Sequence, residues 1–188
     1  VSGGRVYLTD RVEKPEPKER VLCVDANNGK VIWTYSYSSQ YGNVSYPNGP
    51  RASVVISEGK AYSLGTRGHL FCFDAKSGSV LWKHDLDREY QIIMPIWGVA
   101  ATPLIFENKI ILHIGGSKGA SVLALDKNSG KELWRSMNDK ISYSAPVLIR
   151  QAGRPVVVVW TAENLCGLDP HTGKVFWKIP FSVRMGMG

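Results

Sequence analysis

Cysteine is scarce in this chain of 188 residues: Cys23, Cys72 and Cys166 are an odd number, and none belongs to a Cys-x-x-Cys pair. That removes a disulfide framework and the spacing of a zinc site. His69, His84, His113 and His171 fall on different expected elements, and none pairs with another at ligand spacing. No apolar run approaches the roughly 20 residues that a membrane-spanning helix needs. Neither a Gly-x-Ser-x-Gly elbow, a Walker loop nor a Gly-x-Gly-x-x-Gly turn is present, so serine-nucleophile and nucleotide chemistry have no motif to stand on. The formal charge of +7 is scattered over turns without a basic stripe, which reads as solvated surface rather than a nucleic-acid interface. No targeting segment opens the chain, and a start in mid-repeat carries no information about targeting.

What is abundant is order at long period. Four times an Asp is followed four residues later by Gly and four after that by Trp: Asp25/Gly29/Trp33, Asp74/Gly78/Trp82, Asp126/Gly130/Trp134 and Asp169/Gly173/Trp177. The Asp-to-Asp steps of 49, 52 and 43 residues lie in the range of propeller and solenoid repeats. A turn Asp bonds its own backbone two residues on, and the Gly supplies positive φ before the next strand. The Trp buries a large apolar area while its indole N–H seeks a carbonyl, which suits a dock between neighbouring repeats. Two residues before each Asp stands a small side chain, Cys23, Cys72, Ala124 or Gly167. The two cysteines are therefore packing residues.

Each repeat divides into short β-rich runs separated by Gly-containing links that allow only antiparallel hairpins. In the second repeat the runs are 53–56, 61–64, 70–74 and 79–86. The predicted fold is all-β: a β-propeller arc of about four four-stranded antiparallel blades at 1–37, 51–86, 102–137 and 144–181, the first incomplete, fifteen strands in all. Propellers carry four to eight blades, so the open ends of this arc require missing blades or a second copy to cover them. The stretch 11–20, rich in both charge signs, is expected as an exposed loop between strands.

The segments VLCVDANNGKVIWTY, LFCFDAKSGSVLWKHD, VLALDKNSGKELWRS and LCGLDPHTGKVFWKI resemble the tryptophan-docking repeats of the PQQ-like β-propeller superfamily. The resemblance covers the entire chain. It implies a seven- or eight-bladed ring, usually in extracytoplasmic, periplasmic bacterial proteins. The superfamily includes quinoprotein dehydrogenases, BamB-type outer-membrane assembly scaffolds and propellers of unknown role. The adjacent Cys-Cys pair that marks quinoprotein alcohol dehydrogenases is absent, and their calcium-binding and catalytic carboxylates match no position here. Blade motifs themselves carry no chemistry.

Subtracting the repeat leaves Trp97 and Trp160. Arg51, Trp97, Tyr143 and Arg184 fall at similar points before successive inner strands, where connections between blades would open around the channel mouth. Arg67 and Trp160 lie in turns expected on the same face. Aromatics with a few convergent polar groups are what a small-molecule pocket needs, although Trp97 and Tyr143 could equally plug the channel and Trp160 could simply pack. Arg51 and Arg67 offer rigid forks for carboxylate or phosphate, or bonds to loop carbonyls. Glu163 and Asn164 supply oxygens, but two groups make no calcium site. The leading expectation is a non-catalytic scaffold binding a protein or small ligand on this face, with no cofactor. The alternatives are a quinoprotein oxidoreductase, in which Trp97 or Trp160 would stack on PQQ beside calcium while Arg51 or Arg67 held its carboxylates, and a carbohydrate-binding propeller.

Overall fold

The computed structural model of the chain describes residues 1–46 and 48–182. Four antiparallel sheets follow one another, and in each the strand order is the chain order, so every link within a sheet is a hairpin. The first holds β1 (Arg5–Val12), β2 (Lys18–Asp25) and β3 (Val31–Ser38). The second holds β4 (Val55–Ser57), β5 (Lys60–Leu64), β6 (His69–Asp74) and β7 (Val80–Asp85), and runs into a short helix, α1 (Leu86–Tyr90). The third holds β8 (Leu104–Phe106), β9 (Lys109–His113), β10 (Val122–Asp126) and β11 (Glu132–Ser136). The fourth holds β12 (Val147–Gln151), β13 (Arg154–Trp160), β14 (Asn164–Leu168) and β15 (Val175–Pro180). This is an all-β propeller arc, with three strands in the first blade and four in each of the others.

The core lies between blades. Three apolar clusters separate the sheets, one centred on Trp33, Phe71 and Phe73, one on Leu64, Leu112 and Leu125, and one on Trp134, Val157 and Leu168. The repeated tryptophans build these joints. Trp33 donates its indole N–H to Ala75 O at 3.1 Å, Trp82 to Lys127 O at 3.2 Å and Trp134 to Pro170 O at 3.2 Å, each acceptor lying in the Asp-to-Gly turn of the following blade. A Cβ on Gly78, Gly130 or Gly173 would meet the preceding blade's indole at 2.6, 3.0 or 2.5 Å. These three turn glycines are thus needed twice, for their positive φ and for the ring lying on each. Trp177 instead bonds Gln151 of its own blade at 2.8 Å.

The small residue before each Asp has its reason in the register. Cys23, Cys72, Ala124 and Gly167 stand directly across the ladder from Trp33, Trp82, Trp134 and Trp177, each beside a β-bulge. A larger side chain there would meet the indole. Within the turns, Oδ1 of Asp25, Asp74 and Asp126 accepts two main-chain N–H groups at 2.7–3.2 Å, and that of Asp169 accepts one at 2.8 Å.

Gly29 takes the positive φ expected of a turn glycine, yet its surroundings differ from those of the other three: it is exposed, and a Cβ built on it meets nothing within 4 Å. The reason is its place in the arc, since no described blade precedes the first and no indole lies on this turn. Gly29 keeps only the conformational half of the role, at φ 70°. Two expectations are corrected. The exposed loop placed at 11–20 shrinks to residues 13–17, because β1 runs to Val12 and β2 starts at Lys18. Charge did not prevent strand formation here, since Arg20 pairs with Asp10 across the ladder and Arg11 stacks on the Tyr41 ring at 3.5 Å. The strand expected at 79–86 stops at Asp85, whose side chain caps α1 by accepting Arg88 N–H at 3.2 Å.

The hairpins joining β4 to β5 and β12 to β13 place Glu58 and Ala152 at φ 48° and 49°, each followed by a glycine also at positive φ. That geometry favours Asn or Gly at the first turn position. Ala152→Asn is expected to stabilise the protein by about 0.5–1 kcal/mol, read as a rise in the urea midpoint.

Candidate functional site

Three successive connections between blades meet in one cleft of about 520 Å³, lined by Tyr46, Arg51, Trp97, Ala100 and Tyr143. Each connection contributes an aromatic ring. Trp97 lies 5.0 Å from Tyr143 at an interplanar angle of 36° and 6.3 Å from Tyr46 at 64°. The Trp97 main-chain N–H donates to Tyr143 Oη at 3.2 Å. Tyr46 is 68% exposed and sits at φ 55°, a left-handed conformation costly for a bulky side chain and a frequent mark of a working site.

Arg51 is what holds Tyr46 there. Its Nη2 donates to Ser45 O at 2.9 Å and to Tyr46 O, and its Nη1 to Gly49 O at 2.8 Å and Thr66 Oγ1 at 3.1 Å. The fork is occupied by its own loop. A second cleft, of about 390 Å³, lies alongside and is lined by Gly42, Asn43, Val44, Arg67, Met94, Pro95 and Ile96. Apart from Arg67, in the β5–β6 turn, its lining comes from the same two connections as Tyr46 and Trp97, tied by Ser45 N–H donating to Ile96 O at 2.7 Å. Arg67 presents one edge to Asp87, at 2.7 Å.

Beneath both clefts lies a polar knot. Glu19 on β2 is 0% exposed and accepts from Tyr37 Oη, Tyr41 Oη and Thr66 N–H, the last at 3.1 Å. Burial first, and then the Glu19 carboxylate, push both phenols well above the ordinary tyrosine range, so they remain donors. Thr66 joins the parts: its Oγ1 bonds Tyr41 Oη at 2.8 Å and receives Arg51, and its carbonyl accepts Val99 N–H at 2.9 Å. One buried threonine in the β5–β6 turn therefore fixes the connections that carry Tyr46 and Trp97. The connection carrying Tyr143 is pinned likewise, with Asp139 accepting from Thr161 Oγ1 at 2.9 Å, Asn164 Nδ2 at 2.6 Å and Lys178 Nζ at 2.8 Å. Burial alone would raise the Asp139 carboxyl, but these donors hold it below the usual carboxylate range.

Of the residues singled out in the sequence, Arg51, Trp97 and Tyr143 come together in the first cleft and Arg67 lines the second. Trp160 does not join them. Its indole N–H donates to Phe181 O at 3.1 Å and its ring packs 5.2 Å from Phe181, at the end of the fourth blade. Asn164 is turned to Asp139. Arg184 lies outside the described residues. Sequence reasoning missed Tyr46, Glu19 and Thr66. Tyr46 was one of several tyrosines in a loop, and Glu19 sat in a charge-rich stretch whose burial only the fold reveals.

His113, on β9, is 1% exposed with neither ring nitrogen in a good hydrogen bond. Burial lowers its pKa from 6.5 to about 4, outweighing main chain at Ser144 and Lys140 and the Asp139 charge, which favour the cation without completing a bond of good geometry. The unfolded chain therefore binds the proton first. This contribution is intact above pH 6.5 and is lost as pH falls toward 4, where the loss reaches about 3 kcal/mol. Urea unfolding of His113→Leu should show a shallower loss of stability across that window than the parent.

The sheets and their tryptophan joints define the class, a PQQ-like β-propeller. A family model described as outer membrane protein assembly factor BamB matches residues 17–185, and the chain belongs to that family. No curated protein matches the chain in sequence. Among solved structures it is similar to BamB from Moraxella catarrhalis, at 21% identity and a TM-score of 0.61, over 87% of this chain and 44% of that one. It is similar also to the quinohemoprotein alcohol dehydrogenase ADHIIG from Pseudomonas putida HK5, at 17% identity and 0.66, over 97% and 33%. The corresponding enzyme from Comamonas testosteroni gives 17% and 0.64, over 96% and 34%. At these identities the likeness is one of fold, and the chain spans less than half the length of each of these three. Among the described residues no helix is long and apolar enough to cross a membrane.

Proposed function

We propose that this propeller is a non-catalytic scaffold that captures a protein partner on its loop face, through the cleft of Tyr46, Trp97 and Tyr143. The observation that carries the reading is the convergence of three connections, each delivering one aromatic into a single open cleft and each anchored from beneath. Aromatic rings on a rigid base, here one exposed and two half-buried, are what interface hot spots are made of. Membership of a family described as an assembly factor supports a partner-binding role and an extracytoplasmic, periplasmic setting. Further blades, or a second copy, would cover the fourth blade, where Val147, Leu148 and Ile149 are exposed.

PQQ with calcium fits these residues poorly. The lining of the two clefts includes no Asp or Glu to hold the ion, and both Nη atoms of Arg51 are engaged by their own loop. The carbohydrate reading finds ring faces, but few polar side chains to bond hydroxyls. The test is affinity capture by the full chain and by Trp97→Ala, with Trp160→Ala as a distant aromatic control. Loss of one partner with Trp97→Ala alone, at unchanged circular dichroism, is the expected result. Unchanged capture removes the assignment, and saturable PQQ binding with alcohol-dependent dye reduction would replace it with the enzyme.

A further inference from the structure

The two clefts are lined by neighbouring residues of the same two connections, Val44 beside Tyr46 and Ile96 beside Trp97, and their combined lining has a definite balance. It includes three aromatic rings, the aliphatic Val44, Met94, Pro95 and Ile96, two guanidinium groups and no carboxylate. The first cleft is nearly all ring face and methyl, with its one cation turned to loop carbonyls. A flat apolar ring satisfies it; a sugar, whose hydroxyls need several bonding side chains, does not. The second cleft adds Gly42, Asn43 and the edge of Arg67 that Asp87 does not take.

Apolar surface continues past the aromatic cleft: Ile96, in the wall of the second cleft, is 45% exposed, and Ile93, three residues before it, is 65% exposed, so a ligand confined to the aromatic cleft would leave wet apolar surface beside it. The occupant is therefore longer than one ring. Its ring enters the Trp97 cleft, its chain crosses the ridge at Ser45 and Ile96, and an acid a few residues away complements the guanidinium side of the second cleft.

Resting on the loop-face reading above, we infer that the partner presents an extended acidic segment with a Phe, Tyr, Trp or Pro ring, the ring seated between Tyr46, Trp97 and Tyr143 and the carboxylate beside Arg67. Tyr46 in its left-handed conformation forms the near wall of the ring site, which assigns it a specificity role.

Fluorescence anisotropy on the full chain tests this with three labelled decapeptides in a Gly-Ser background: one Phe between two Glu, the same with Ala for Phe, and the same with Gln for both Glu. The Phe peptide should bind about 10-fold more tightly than the Ala peptide. Trp97→Ala should remove that difference, and so should Tyr46→Gly, which suits the backbone at an exposed position and so keeps the fold. The Gln peptide should lose about 3-fold, a loss that Arg67→Gln should erase. Equal affinity for the Phe and Ala peptides, or a preference indifferent to both aromatic variants, overturns the proposal, as does displacement of the Phe peptide by millimolar maltose. If the peptides bind equally while Trp97→Ala still abolishes capture of the native partner, the ring-and-acid segment falls and the loop-face reading stands. If neither responds, both fall.

Discussion

Glu19→Ala should lower stability by about 4 kcal/mol, a fall of about 2 M in the urea midpoint. The carboxylate is fully buried and accepts from Tyr37, Tyr41 and the Thr66 N–H. Alanine would leave the Tyr37 hydroxyl and the Thr66 N–H without an acceptor and Tyr41 with Thr66 Oγ1 alone, and each orphaned buried group carries its own desolvation cost. The damage should not stay in the first blade. Thr66 loses its hold on Tyr41 and with it the grip on Arg51, so the loop carrying Tyr46 loosens along with the Val99 end of the next connection. Amide exchange at Thr66 and Val99 should rise by far more than exchange in β14, and peptide binding at the Trp97 cleft should weaken although no residue of the cleft has changed. Glu19→Gln keeps one acceptor oxygen and should fall between parent and Ala. Unaltered exchange at Val99 in Glu19→Ala would show that the knot does not govern the loops.

Trp134→Ala is expected to cost a similar amount, about 4 kcal/mol, by a different route. The ring is 8% exposed, lies on Gly173 and donates to Pro170 O. It is an apolar link from the third blade to the fourth, in a cluster with Val157, Val159 and Leu168. Stability in a repeat array is a sum of units and nearest-neighbour joints, so removing the joint should let the fourth blade unfold separately. Two transitions in a urea titration, the earlier reported by residues of β13 and β14, are the expected sign. Gly173→Ala attacks the same joint from the other side, whereas Gly29→Ala, with no ring upon it, should cost only the backbone strain of about 1 kcal/mol. Trp177→Ala, whose indole N–H stays within its own blade, should cost about 2 kcal/mol. A single cooperative transition in Trp134→Ala would mean that the blades are coupled elsewhere.

The blades were readable because each is written by short-range rules. An Asp that accepts N–H groups of its own turn, a Gly with positive φ and a Trp four residues on recur at fixed spacing, and none depends on a distant residue for its local conformation. What the spacing could not tell apart was Gly29 from Gly78, Gly130 and Gly173, because the ring that lies on a turn belongs to another blade. The site was readable only in part. Trp97 and Tyr143 stood out because the repeat did not use them, whereas Tyr46 was hidden among similar residues and owes its prominence to a backbone conformation imposed by Arg51. Glu19 was misplaced altogether: in a strand of mixed charge nothing local distinguishes a carboxylate facing solvent from one facing two phenols, and its partners Tyr37, Tyr41 and Thr66 lie 18 to 47 residues away. The capping Asp85 of α1 was likewise obscured, since a five-residue helix is too short to show a period.

The strands that face the tryptophans have a practical consequence. Three of the four blades carry an enclosed thiol there: Cys23 and Cys72 lie directly across from an indole, and Cys166 stands one position before the Gly167 slot, across from Lys178. Burial pushes Cys72 and Cys166 up to about 11, so neither is a nucleophile while its blade is closed. A maleimide or disulfide reagent can react only through opening events, which makes the wild-type chain its own set of blade-resolved clocks. Mass-resolved labelling of the three sites would time the breathing of the first, second and fourth blades without a single introduced probe.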